Sequence, residues 1–369
     1  MESLIQAWQK SGLESVTWGH PVMWALGLLL IYLAIRKQYE PYLLLPIGFG
    51  VILVNIPNAN MVGEDGLLRI FYYGIEYEVI PPLIFLGLGA MTDFGPVIAN
   101  PKTLLLGAGA QFGVYVAFFG ALIMGFSLPE AASIGIIGGA DGPTTIFVTN
   151  SLAKDLLGVT AVSAYSYMAL VPLIIPPIVR LLTTENERKI EMKQLRPVSK
   201  TEKIVFPLMA TFVICLLIPK ATPLMGMLMV GNLFRESGVV KRLSEGAQNE
   251  LMNIVTIVLG LSIAYTLRAE DFLRAQVLQV FVLGLVAFVF SVIGGTLLAK
   301  LMNVFLREKI NPMIGAAGLS AVPMAARVIQ IEGMKANPRN YLLMYAMGPN
   351  VAGVIGTVVA AGIFISMIG

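Results

Sequence analysis

Hydrophobic residues fall along this chain in long blocks separated by short polar stretches. The blocks lie at 22–35, 42–56, 80–91, 103–125, 131–147, 159–182, 204–218, 222–233, 251–265, 277–298, 312–328 and 341–368. At about 20 residues per bilayer crossing, the apolar content predicts an all-α polytopic protein of about ten spans. Several blocks are too short, or too interrupted by Gly and Pro, to be plain spanning helices. Residues 1–17 are polar and lack the basic start of a cleavable signal. The longest polar stretch, 183–203, carries Arg188, Lys189, Lys193, Arg196, Lys200 and Lys203. That concentration predicts a cytoplasmic loop, with a docking surface for a cytoplasmic partner as the functional alternative. The expected organisation is N-terminal spans and an interfacial segment (1–79), a first repeat (80–182), the basic loop (183–203), connecting spans (204–250) and a second repeat (251–369).

Composition narrows the class. The 369 residues are 57% hydrophobic and 13% charged, with mean hydropathy +0.80. A soluble chain carries about 25% charged residues, so the expected surroundings are lipid. The single cysteine, Cys215, excludes an intrachain disulfide, and the single histidine, His20, excludes His-rich metal and triad chemistry. The net charge of +3 is a loop bias, and no nucleic-acid partner is expected. No GxxxxGK(S/T) loop is present, so energy must come from an ion gradient or a partner. The IEMKQL and GMKAN strings resemble biotin-attachment cores but lack strand alternation around them. No biotin is expected on this chain.

The two halves echo each other. FLGLGA (85–90) corresponds to VLGLSI (258–263), IIGGADGP (136–143) to MIGAAGLSAVP (313–323), and YMALVP (167–172) to YAMGPN (345–350). Five expected crossings separate the second pair of blocks, and an odd number inverts the later copy. Inverted repeats with discontinuous helices are how many transporters build a midplane ion site.

GGADGPTTIFVTN, residues 138–150, carries the sharpest chemistry. Asp141 lies among Gly139, Gly142 and Pro143, residues that turn the chain and disfavour a continuous helix. A carboxylate at that depth costs about 2.5–3.5 kcal/mol, and oxygen ligands suit hard cations. Thr144, Thr145 and Thr149 add hydroxyls. The plainer reading is an aspartate capping a half-helix. NPMIGAAGLSAVPMAARV (311–328) offers Asn311 and Ser320 as neutral oxygens and Gly315, Gly318 and Pro323 as breaking residues. Arg327 is its one charge, either an anchor for a carboxylate or a side chain snorkelling to the interface. GPNVAGVIGT (348–357) places Asn350 beside Pro349, and AYSYMALVP brings the phenols of Tyr165 and Tyr167 into an apolar span.

At these motifs the sequence resembles the β subunit of sodium-translocating, biotin-dependent decarboxylases acting on oxaloacetate, methylmalonyl-CoA or glutaconyl-CoA. The likeness runs from about residue 39 to the end. It implies an elevator-like transporter with a scaffold and a moving core in a prokaryotic inner (plasma) membrane. It implies that carboxybiotin, carried by a partner, is decarboxylated while Na⁺ is pumped outward. The partners implied are a small single-span γ subunit, a biotin carrier and a carboxyltransferase, with homo-oligomers in the complex. By the same resemblance Asp141 and Asn350, with Asn311 and Ser320, contribute to the Na⁺ site, and Gly315 belongs to the same functional run. Arg327 and Tyr167 would serve carboxybiotin, with Tyr167 or a water giving its nitrogen a proton. The chain lacks the extra length of some oxaloacetate-type members, which leans toward the acyl-CoA types. The rival reading is a stand-alone Na⁺-coupled transporter or cation/proton antiporter, which needs the same broken helices.

Overall fold

The computed structural model describes residues 11–272 and 275–369, and all regular structure in them is helical. Helix α1 (Gly19–Lys37) is met by α2 (Pro41–Val54) across Gly27 and Gly48, where a Cβ on either residue would lie within 2.8 Å of the other's carbonyl. The short helix α3 (Leu67–Glu76) leads into α4 (Ile80–Met91) with a 70° bend. A turn at Gly95–Ala99 precedes α5 (Thr103–Ile123). Then comes a first interrupted element: α6 (Leu128–Gly135), a tight turn Ile136–Gly139, and α7 (Gly142–Leu152).

Helix α8 (Leu157–Leu182) leads into the basic segment. Helix α9 (Lys200–Leu217) begins with a capping box, in which Ser199 N donates to Glu202 at 2.9 Å and Glu202 N to Ser199 Oγ at 3.2 Å. Helices α10 (Thr222–Ser237), α11 (Lys241–Tyr265) and α12 (Ala275–Phe305) follow. The second interrupted element is a tight helix Pro312–Gly318, an extended stretch through Ser320, and α13 (Met324–Ala336). Helix α14 (Leu343–Ile368) completes the described fold.

Six of these helices are long and apolar enough to cross a bilayer, or seven if the bent α3–α4 pair is one span. The expected ten also counts the shorter and broken apolar blocks, such as the apolar helix Pro41–Val54. The apolar blocks at 131–147 and 312–328 fill the protein interior, with nearly every side chain of the first and most of the second buried. Composition counts such residues as span material although they never meet lipid. Large apolar side chains elsewhere, including Phe212, Leu216, Leu217, Val304 and Phe305, are more than two-thirds exposed. An apolar rim of that kind belongs against hydrocarbon.

The order of elements recurs. Helix α4, a short turn, α5, a break and α8 match α11, the short helix Ala269–Phe272, α12, a break and α14. The three pairs of echoing motifs fall on corresponding members of the two series.

Both breaks pack against α5, α12 and α14 through residues with almost no side chain. Gly295 meets Gly315, Gly318 meets Gly107 and Ala110, Gly353 meets the Gly318 carbonyl, and Gly138 meets Gly113 and Ala287. A methyl group added at any of these glycines would overlap a neighbour.

The basic segment is a strap tied across the second break. Asn311 Nδ2 donates to the carbonyls of Arg188 at 2.9 Å and Ile190 at 3.0 Å, and Asn340 Nδ2 to Ile190 at 2.8 Å. Lys193 pairs with Glu308 at 2.6 Å, Arg196 with Glu202 at 2.7 Å and Lys203 with Asp93 at 3.0 Å. Much of the positive charge that predicts a loop's sidedness is therefore locally neutralised.

Candidate functional site

The two breaks touch. Ser320 N donates to the Gly139 carbonyl at 3.0 Å, and Ser291 Oγ on α12 donates to the Gly138 carbonyl at 2.8 Å. Ala140 has φ 57°, the left-handed region, and this turns the chain so that Asp141 becomes the N-cap of α7. Pro143 stands in the first turn of α7, where its missing N–H has no cost. Asp141 Oδ1 accepts from Thr144 N at 3.1 Å, and its carbonyl accepts from Thr145 Oγ1 at 2.8 Å.

The plainer cap reading is thus half true, because the other carboxylate oxygen is left over. Asp141 is 4% exposed and its Oδ2 has no partner; the buried Thr144 Oγ1 has none either. Asn350 on α14 grips the second break, donating Nδ2 to the carbonyls of Ala317 at 3.0 Å, Leu319, and Ala321 at 3.4 Å. Its Oδ1 is buried and unpartnered. Leaving such a group unsatisfied costs about 1–3 kcal/mol, more when charged. Carboxylate, hydroxyl and amide oxygens are the ligand types that suit a small hard cation.

Ser320 Oγ lies 2.8 Å from Thr357 Oγ1. Thr357 also reaches the Gly353 carbonyl at 3.0 Å and Gln111 Oε1 at 3.3 Å, so it ties α14 to α5 beside both breaks. Gly139 abuts Thr357, and Gly142 abuts the ring of Tyr165. Val322–Pro323 is a cis peptide, and Pro323 is the N-cap of α13.

Three further expected site residues have these surroundings. Asn311 caps the start of the tight helix and has its amide committed to the strap. Tyr167 donates its hydroxyl to the Phe281 carbonyl on α12. Arg327 is exposed on α13, and its side chain makes no hydrogen bond or ion pair among the described residues. The phenol beside Asp141 is instead that of Tyr165, fully buried with an unpartnered hydroxyl.

Sequence reasoning also missed Thr357, Gln111, Ser291 and Glu332. Thr357 closes the GPNVAGVIGT block, so a signal for it existed. Glu332 is 4% exposed and held by Arg180 through two bonds, at 2.8 and 3.0 Å, and by Lys335 at 2.6 Å. The partners in the forked pair lie 152 residues apart, beyond any motif.

Interrupted helices meeting at a buried polar centre, inside a lipid-facing helical shell, define a multi-pass membrane protein of the ion-transporting kind. The family described as the Na⁺-transporting oxaloacetate decarboxylase beta subunit matches residues 19–368, and this chain belongs to that family. Glutaconyl-CoA decarboxylase subunit beta of Acidaminococcus fermentans is 57% identical over 98% of this chain and 96% of its own. Methylmalonyl-CoA decarboxylase subunit beta of Propionigenium modestum is 52% identical over the whole of both chains. The probable oxaloacetate decarboxylase beta chain of Vibrio cholerae serotype O1 is 50% identical over the whole of both, in an alignment of 431 positions. The family expected from the motifs is the one found, and it favours a decarboxylase subunit over a stand-alone transporter.

Proposed function

We propose that this chain decarboxylates carboxybiotin delivered by a partner subunit and couples that step to outward Na⁺ movement. The observation that carries the ion half is the buried, unpartnered Oδ2 of Asp141, with Thr144 Oγ1 and Asn350 Oδ1 also buried and unpartnered. In this reading Na⁺ is cargo held by Asp141, Asn350 and Ser320, while Asn311 acts from a distance by fixing the strap to the second break. Arg327, unpaired on α13, is the free guanidinium for the carboxylate. Breaking the N–C bond releases CO₂, and the ureido nitrogen takes a proton from a water or from a phenol of α8. Keeping water from the carboxylate favours that loss.

The recurring element order supports two repeats, 80–182 and 251–369, related by inversion. The glycine-lined contacts support a core that moves as one body within a scaffold. A biotin carrier, a carboxyltransferase and a small γ subunit complete the assembly in a prokaryotic plasma membrane, with more than one copy of this chain. The 57% identity to an acyl-CoA-type relative, against 50% in the longer alignment to an oxaloacetate-type one, supports an acyl-CoA feed.

The test is Asp141→Asn in vesicles carrying the full complex, with ²²Na⁺ uptake and decarboxylation followed together. Removing one charge from a dry ion site costs about 3–5 kcal/mol, so both activities should fall by at least a hundredfold. An Asn variant that pumps normally would leave Asp141 as a helix cap alone.

A further inference from the structure

A polar cavity lies at the opposite end of α8 from the strap. Lys154, just before α8, borders it, whereas Leu182 at the far end leads into the strap. The 26 residues of α8 extend about 39 Å, so cavity and strap open on opposite faces of the membrane. The cavity measures about 450 Å³ and is lined by Glu76, Glu78, Asn150, Ser151, Lys154 and Lys220, among others. Beside the start of α10 at Thr222, two helices end here with their carbonyls: α3 at Glu76 and α7 at Leu152. Such ends favour positive charge.

The two carboxylates differ. Glu76 is engaged by Arg69 at 3.5 Å and Lys154 at 3.8 Å. Glu78 makes no ion pair among the described residues and accepts one hydrogen bond, from Ser151 Oγ at 2.7 Å. Its φ of 57° is uncommon for a residue with a side chain. Next to Ser151, Asn150 is 2% exposed. Its Nδ2 donates to the Glu76 carbonyl at 3.4 Å, and its Oδ1 has no partner. The cavity is thus lined by a buried amide oxygen without a donor and by a carboxylate without an ion pair, ligand types that suit a cation and not an anion. Lys220, also unpaired, stands in the same wall and opposes tight retention.

We propose that this cavity is an exit station for the transported ion: a low-affinity Na⁺ site formed by Glu78 and Asn150 on the face opposite the strap. Asn150 follows Asp141 by nine residues along α7, about 14 Å. An ion leaving the crossing therefore meets Glu78 before open water, and Lys220 speeds its departure. The proposal rests on the Na⁺-pumping reading and adds a second site to it.

The experiment uses the full complex in proteoliposomes oriented with the strap face outside, so that the lumen is the exit face. Luminal NaCl is varied against choline chloride, and initial decarboxylation rates are read. Luminal Na⁺ should inhibit the unmodified complex. Glu78→Gln and Asn150→Ala should raise the half-inhibiting concentration, by about tenfold for the lost charge of Glu78. Lys220→Gln should lower it severalfold. The external Na⁺ needed for half-maximal activation should not move. Misfolding cannot shift one parameter in opposite directions for two variants. Unchanged luminal dependence in Glu78→Gln and Lys220→Gln overturns the station. Equal shifts on both faces assign Glu78 to the central site and overturn it as well. An unmodified complex that decarboxylates without Na⁺ uptake overturns the pumping reading itself, before any variant is made.

Discussion

Tyr165 and Tyr167 lie two positions apart on α8 and meet different surroundings. Tyr167 donates to a backbone carbonyl of α12, whereas Tyr165 presses its ring on Gly142 with nothing bonded to its hydroxyl. Tyr167→Phe should therefore lower stability by about 1 kcal/mol, the usual value of such a bond. Tyr165→Phe should leave thermal unfolding nearly unchanged and raise the Na⁺ concentration for half-maximal decarboxylation. Unfolding curves and Na⁺ titrations on the two variants separate the roles. Arg327 sets a similar choice. With no partner to lose, Arg327→Lys should fold normally, yet decarboxylation should fall about tenfold or more, because an ammonium lacks the planar fork. Full activity in that variant would make Arg327 a snorkelling side chain.

At the scale of elements, the breaks were legible and their fastenings were not. Gly139, Gly142 and Pro143 announce an interruption because backbone freedom and a missing donor are local properties. Asp141 was legible for the same reason, since a carboxylate in an apolar block is conspicuous. The commitments of Asn311 and Tyr167 were invisible, because an amide or a phenol does not reveal which distant carbonyl it will find. Arg180 and Glu332 were missed as a pair on those grounds. The number of spans is not fixed by apolar content either: apolar blocks that line the interior read like blocks that face lipid. Asn311 now carries a prediction of its own. Asn311→Ala removes two bonds to the strap and one to Met313 N. Trypsin should then cut at Arg188 or Lys189 at least tenfold faster, given about 1 kcal/mol per bond, while α9 keeps its capping box.

For the whole molecule, sidedness is the testable property. The strap and the cavity beside Glu78 lie at opposite ends of α8. In a Cys215→Ala background, Gln194→Cys should react with an impermeant maleimide only from the cytoplasmic face, as the basic segment requires. Tyr77→Cys, at a residue 73% exposed beside that cavity, should react only from outside. Reversed labelling would invert the molecule and the direction of pumping with it.

The glycine contacts around the breaks have a mechanical consequence. Side chains normally interlock two packed helices like gear teeth. Where Gly295 faces Gly315 and Gly318 faces Gly353, there are no teeth to ratchet over. In the moving-core reading proposed above, such a joint would be a plain bearing, with little friction along its track and no preferred stopping place of its own. Stops must come from the few polar bonds that cross it: Ser291 to the Gly138 carbonyl, Ser320 to Thr357, and Asn350 to the carbonyls of the second break. In that reading these bonds would act as detents. Their number and strength, more than the bulk of the packing, would set how sharply the sliding part comes to rest and how long it stays.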